Sequence, residues 1–243
     1  MKLTQRISIA MLASVPWLGA HAADGAPTND LPNPYVTTAP WGNPPDGRKW
    51  GALNGVAIDN DGVSVWVADR CGANPDVPPG ASPVQYDSCA GSPLAPVMKF
   101  DASGKLLKNF GAGLFVFPHK IYVDRDGNVW VVDGRGLNER ERKLFPQDAN
   151  KGHTVVKFSP DGQVLLTLGK PGVAGDPPAA LTEPTSIVIA ANGDIFIAEG
   201  HSGQAPTAPP TTVARISKFT KDGKFIASFG KFGSGPVEFR TPH

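Results

Sequence analysis

The sequence predicts an all-β fold, a β-propeller of four-stranded blades, and two observations carry that prediction. One phrase recurs three times: a short apolar strand, an Asp-Gly or Asn-Gly turn, and a second apolar strand that closes on an acid. Each copy is followed by a second hairpin with its own glycine turn. A four-stranded antiparallel unit cannot bury both faces alone, so the copies must stack against one another, and radial stacking gives a propeller.

Taken in order, the first inner hairpin runs from Gly55 to Asp69, the second from Lys120 to Asp133 and the third from Ser186 to Glu199. Their Val, Ile and aromatic content favours strands. Asp61-Gly62, Asp126-Gly127 and Asn192-Gly193 mark tight hairpin turns. The outer hairpins open on Phe100, Phe158 and Phe219 and turn at Ser103-Gly104, Asp161-Gly162 and Asp222-Gly223. Helix is expected to be almost absent from this part of the chain.

Equivalent positions Asn54, His119, Thr185 and His243 follow one another at intervals of 65, 66 and 58 residues. Common blades repeat every 40–50 residues or roughly so, and inserted loops account for the excess. A fourth copy opens with Phe239-Arg240-Thr241-Pro242-His243. Propellers close with about four to eight blades, so the chain reads as about three blades of a six-bladed ring, a C-terminally truncated fragment of a longer protein.

Lys and Arg number 23 against 22 Asp and Glu, a net charge of +1. That balance gives no electrostatic reason to propose nucleic acid or an anionic membrane as a partner. The first 22 residues read as a secretory signal: Lys2 and Arg6, an apolar stretch from Ile7 to Ala20, and the cleavage motif Ala20-His21-Ala22. That apolar stretch is interrupted by Pro16 and is shorter than the roughly 20 residues of a membrane span. Residues 23–49 form a Pro-, Asn- and Gly-rich arm, and residues 50–243 form the partial propeller. The expected location is periplasmic or secreted. Cys71 and Cys89 flank one loop of a chain bound for an oxidising compartment, which predicts a disulfide.

The copies act as controls on one another. Asp69, Asp133 and Glu199 share one position, which favours a structural role such as capping backbone N–H groups over catalysis. The position ahead of the first inner strand breaks the pattern, with Asn54, His119, Thr185 and His243 entering beside the central axis. In a six-bladed ring His119 and His243, two blades apart, stand about 120° apart. Three histidines and an open position make a catalytic zinc site; the third would come from a later blade, beyond His243. Satisfied structural histidines remain the competing reading.

Behind the shared acid, Arg70, Gly134 and Gly200 hold one place, and Cys71, Arg135 and His201 the next. Arg70 can clamp a substrate carboxylate or pair with a neighbouring loop. His201 can transfer a proton near neutral pH or stand exposed and idle. His153, in a polar stretch, and His21, in the signal, read as solvent or linker residues.

With Phe117-Pro118-His119, Glu183-Pro184-Thr185-Ser186-Ile187-Val188, Arg215-Ile216-Ser217-Lys218-Phe219 and Phe239-Arg240-Thr241-Pro242-His243 laid in order, the chain resembles NHL-repeat six-bladed propellers, and more closely the lyase domain of peptidylglycine α-amidating enzymes. The resemblance runs from about Trp50 to the last residue. It implies cleavage of a peptidyl-α-hydroxyglycine into a peptide amide and glyoxylate, at zinc held by three histidines on alternate blades, with a structural calcium near the axis. His119 and His243 match two zinc ligands and Arg70 the arginine that engages substrate. Val56 and Ile121 match positions whose backbone carbonyls face the calcium. His201 stands where these lyases place a tyrosine proposed as the base. A small-molecule or peptide ligand at the axis is the implied partner.

Two other readings compete. A noncatalytic NHL propeller would present its loops as an extracytoplasmic binding scaffold. A calcium-dependent lactonase is disfavoured because such axial sites use oxygen ligands, whereas histidine occurs twice at the repeat position here.

Overall fold

The computed structural model describes residues 30–36, 41–72 and 87–243. The signal-like segment and its cleavage motif lie outside the described residues. Residues before Pro40 belong to a separate unit, of which 30–36 carry neither helix nor strand. Pro40 to His243 form the second unit, and it holds every strand described below.

Twelve strands make three four-stranded antiparallel sheets in simple meander order. The first blade holds β1 (Leu53–Ile58), β2 (Val65–Asp69), β3 (Val97–Phe100) and β4 (Leu106–Phe110). The second holds β5 (Pro118–Val123), β6 (Val129–Asp133), β7 (Thr154–Phe158) and β8 (Val164–Leu168). The third holds β9 (Pro184–Ile189), β10 (Ile195–Glu199), β11 (Arg215–Phe219) and β12 (Phe225–Phe229). Neighbouring blades meet through β1 and β5 and through β5 and β9, which makes these the innermost strands. Past the third blade, β13 (Lys231–Phe232) and β14 (Glu238–Phe239) add a short parallel pair outside the blades.

All three inner turns and all three outer turns close on a glycine with positive φ, from 73° at Gly62 to 89° at Gly193. Gly127 donates to the Asp124 carbonyl while Asp124 donates to that of Asn128, and the same pair of bonds recurs at Asp101, Ser159, Ala190 and Thr220. These are three-residue loops, a type I turn followed by a left-handed residue, rather than two-residue turns. At Asp59 the loop is one residue longer and ends on Ser64.

The core lies between blades. Trp66, Ala68 and Val97 pack against Phe115, Ile121, Val131 and Phe158 of the next blade, and Trp130, Val132 and Leu168 pack against Ile187, Ile195, Ile197 and Phe219 in the same way. Each indole N–H is satisfied by the aspartate of its own turn, Trp66 by Asp59 at 2.6 Å and Trp130 by Asp124 at 3.0 Å. The far face of the first blade, Val67, Met98 and Phe100, is joined by Trp50. The rings of Trp41 and Trp50 lie 5.8 and 5.6 Å from that of Phe100.

The blades touch closely at the innermost strands. A Cβ on Gly55 would stand 2.7 Å from the Ile121 amide nitrogen, so only glycine fits where β1 crosses β5. Among the described residues, helix is limited to α1 (Glu139–Leu144), capped by Asn138 and Glu141, and short 3₁₀ turns at Pro45–Gly47, ahead of the first blade, Pro146–Asp148 and His201–Gln204. No helix among the described residues is long and apolar enough to cross a membrane.

Candidate metal centre

The repeat position that holds Asn54, His119 and Thr185 has a structural identity that the sequence does not display. In each inner hairpin the ladder slips by one residue there. Leu53 faces Asp69 but Gly55 faces Ala68; Pro118 faces Asp133 but Lys120 faces Val132; Pro184 faces Glu199 but Ser186 faces Ala198. Asn54, His119 and Thr185 are thus the extra residues of three equivalent β-bulges. A bulge re-aims its side chain and frees its backbone from the ladder.

The shared acids hold these bulges. Asp133 is fully buried and accepts from the backbone N–H groups of Val116, at 3.0 Å, and Phe117, at 2.5 Å, just ahead of His119. Asp69 accepts from Gly51 at 2.8 Å, and Glu199 from Thr182 at 2.7 Å. Glu199 also receives the Arg215 guanidinium at 2.9 Å. Burial drives the Asp133 carboxyl up to about 7 and that of Asp69 to about 6. These acids cap backbone, the role their repetition suggests.

His119, His201 and His243 come together, with one ring nitrogen of each lying within 4.8 Å of the others. Ring centroids are separated by 5.0 Å for His119–His201, 5.3 Å for His119–His243 and 5.5 Å for His201–His243. The sequence predicts a proton-transfer role for His201 and a third histidine beyond His243; in the structure His201 itself joins the other two. Its ring arrives here on a 3₁₀ turn that follows Gly200. That glycine has φ 119°, and a Cβ on it would stand 1.9 Å from the Val213 carbonyl oxygen. Glu183 secures the turn, accepting from the Ser202 N–H at 2.7 Å and from its hydroxyl at 2.6 Å.

The tautomer of His119 follows from its partner. Its Nδ1 lies 2.9 Å from the Thr185 carbonyl oxygen, which can only accept, so Nδ1 carries the hydrogen and Nε2 presents a lone pair. A ring N–H given to a backbone carbonyl is the usual arrangement of a metal-binding histidine. Burial, followed by the charges of His201, Arg70 and His243, lowers His119 to about 4 even against the hydrogen bond to Thr185, which raises it. Burial and His243 also lower His201. Clustered imidazole nitrogens suit a cation. Donors of a tetrahedral zinc site stand about 3.3 Å apart for Zn–N bonds of about 2.0–2.1 Å, so the observed cluster would contract modestly around an ion.

Arg70 lies beside this cluster with 5% of its surface exposed. Its guanidinium pairs with Asp87, its Nε donates to the Pro118 carbonyl at 3.2 Å, and it stacks on the Phe117 ring at 3.5 Å. Sequence offered a substrate clamp or a salt bridge to a neighbouring loop; the partner in the structure, Asp87, lies in the same β2–β3 loop as Arg70 itself. The same ring carries the guanidinium of Arg135 at 4.4 Å, itself bound to Glu141. Sequence flagged Arg135 only as a break in symmetry; its closeness to Phe117 comes from the fold.

Cys71 and Cys89 form the expected disulfide, with Cα atoms 5.1 Å apart, and it closes the loop that delivers Asp87 to Arg70. Val56 and Ile121 lie on β1 and β5, where those strands touch at Gly55. Val56 is 57% exposed and Ile121 is buried. His153 is partly buried, with Nδ1 accepting from the Glu183 N–H at 3.2 Å. A cleft of about 190 Å³ beside His243 is lined by Val188, Phe196, Ala198 and Ile216. A larger one, of about 420 Å³, lies among the hairpin turns of the second and third blades and includes none of these histidines.

Fold and cluster together define a class: a β-propeller of four-stranded blades in which three histidines meet where the inner strands begin. No family model matches the chain. Among curated proteins, it is similar to the probable peptidyl-alpha-hydroxyglycine alpha-amidating lyase of Caenorhabditis elegans, 30% identical over 142 residues that cover 57% of this chain and 33% of that one. Peptidyl-alpha-hydroxyglycine alpha-amidating lyase 2 of Drosophila melanogaster is 28% identical over 224 residues, covering 89% of this chain and 47% of the relative. NHL repeat-containing protein 3 of Homo sapiens is 26% identical over 164 residues, 65% of this chain and 41% of the relative. The chain therefore spans a third to a half of the length of these relatives.

Proposed function

We propose that this chain is part of an exported, metal-dependent lyase of the amidating type, which splits a peptidyl-α-hydroxyglycine into a peptide amide and glyoxylate. The single observation that carries the proposal is the His119–His201–His243 cluster, with the His119 Nε2 lone pair fixed by Thr185. Similarity to amidating lyases supplies the substrate class, and the disulfide accords with an oxidising compartment.

His119 and His243 would hold zinc, and His201 stands close enough to be a third ligand or the proton acceptor. When bound, zinc would make the substrate hydroxyl more acidic. The reaction then needs that hydroxyl to lose its proton, the C–N bond to break toward nitrogen, and the amide nitrogen to gain a proton. Arg70 would hold the substrate carboxylate by a bidentate contact, which requires it to exchange Asp87 for substrate. The Val56 and Ile121 carbonyls would face a structural calcium at the axis. The pairing of Arg70 with Asp87 favours a second reading, a scaffold that binds without catalysis.

The test compares the protein with its His119→Ala, His243→Ala double variant, measuring zinc content and glyoxylate release from a peptidyl-α-hydroxyglycine. Stoichiometric zinc and glyoxylate, both lost in the double variant, are expected. Zinc without glyoxylate points to the scaffold. A protein that purifies metal-free, or zinc that survives the double substitution, ends the lyase reading.

A further inference from the structure

Thr185 occupies the same bulge position as His119 but is too short to be a ligand. It is 1% exposed and makes two contacts of different kinds. Its backbone carbonyl, freed by the bulge, accepts from His119 Nδ1 at 2.9 Å. Its hydroxyl lies 2.5 Å from the Pro242 carbonyl oxygen and 3.2 Å from that of Ala198. A hydroxyl has one proton to donate, and the shorter contact takes it. One buried residue of the third blade is thereby joined to a histidine of the second blade on one side and to the peptide unit just before His243 on the other.

We infer that Thr185 is the positioning residue of the three-histidine centre, its carbonyl selecting the nitrogen that His119 presents and its hydroxyl fixing the approach of His243. The inference rests on the metal reading proposed above. The carbonyl cannot be removed by substitution, but the hydroxyl can, so the two arms separate: loss of the hydroxyl loosens His243 and leaves the His119 tautomer in place. A residue that only fills space would not make that distinction. Partners that orient metal-binding histidines typically change metal affinity by about 10–100-fold when lost.

Cobalt(II) is the probe, because its visible absorption reports the geometry of its nitrogen ligands. Wild type, Thr185→Val and Thr185→Ser are titrated with cobalt against a competing chelator, and histidine ¹⁵N spectra are recorded on the metal-free proteins. The Val variant should bind roughly 10–100-fold more weakly, with altered absorption bands, and the Ser variant should restore both. The His119 tautomer should be the same in all three. Thr185→Ala, which leaves room for water beside Pro242, serves if the Val variant does not fold. Wild-type cobalt affinity and spectrum in the hydroxyl-less variants overturn the inference while leaving the metal reading intact. A wild-type protein that takes up no cobalt overturns both.

Discussion

Replacing Gly55 by alanine tests the closest contact between two blades, and the sign of the effect is informative. Glycine in an extended strand ordinarily gains about 0.4–1 kcal/mol on replacement by alanine, because the unfolded chain loses freedom. Here the new Cβ would meet the Ile121 amide nitrogen at 2.7 Å and its Cγ2 at 3.1 Å, where ordinary contact begins near 3.4 Å. Both strands are backbone-locked, so β1 must retreat from β5 by about 0.7 Å, a strain of the kind that costs about 1–3 kcal/mol. At the middle of both ranges a net loss of about 1.3 kcal/mol remains. At about 2–4 °C per kcal/mol for a domain of this size, the thermal midpoint should fall by about 3–5 °C. Circular dichroism melts of wild type and Gly55→Ala measure it. A midpoint equal to or above that of wild type would show that β1 and β5 do not approach as described, and would refute the inner-strand geometry behind the His119 and Val56 placements.

Two further outcomes follow from the buried charges. Arg215→Met leaves the Glu199 carboxylate buried without its cation and should cost about 3 kcal/mol in urea unfolding; a loss below about 0.5 kcal/mol would make the pair dispensable. His119 is lowered to about 4, chiefly by burial, against an unfolded value of 6.5. The stability it contributes is therefore present above pH 6.5 and is lost as pH falls through about 4. Metal-free wild type should lose stability across that window faster than His119→Gln, as followed by urea unfolding in chelator at several pH values. Parallel curves for the two proteins would contradict the burial of a neutral imidazole.

The chemistry of the centre follows from how the blades are joined. His119 is held from two directions, by the Asp133 carboxylate that pins the backbone ahead of it and by the Thr185 carbonyl across the blade boundary. His201 depends on Gly200 and Glu183, and Glu183 itself has φ 46°, an uncommon conformation for a residue with a side chain. Arg70 depends on a loop closed by Cys71 and Cys89. Each group that would touch substrate or metal is thus fixed by a neighbour distant in sequence.

Much of this protein was legible in its sequence because it depends on short-range rules. Strand alternation, the glycine after each turn aspartate or asparagine, and the acid closing each inner hairpin are local and repeat three times, so blades, hairpin positions and the capping role of Asp69, Asp133 and Glu199 could be read directly. The Cys71–Cys89 bridge was readable because the two residues stand alone in one loop. Other features were decided only in three dimensions. The bulge at Asn54, His119 and Thr185 is a slip in hydrogen-bond register, and register is a relation between two strands that neither strand's residues display. His201 reached the cluster because a left-handed glycine and a 3₁₀ turn fold its loop back over the inner strands, and sequence spacing does not encode that path. Arg70, at the end of the first blade's inner hairpin, shares the Phe117 ring with Arg135 of the second blade only because those two blades stack, with Trp66 packed between them. Local periodicity names the elements; distances between side chains from different blades depend on how the apolar faces stack, a property of the assembled core.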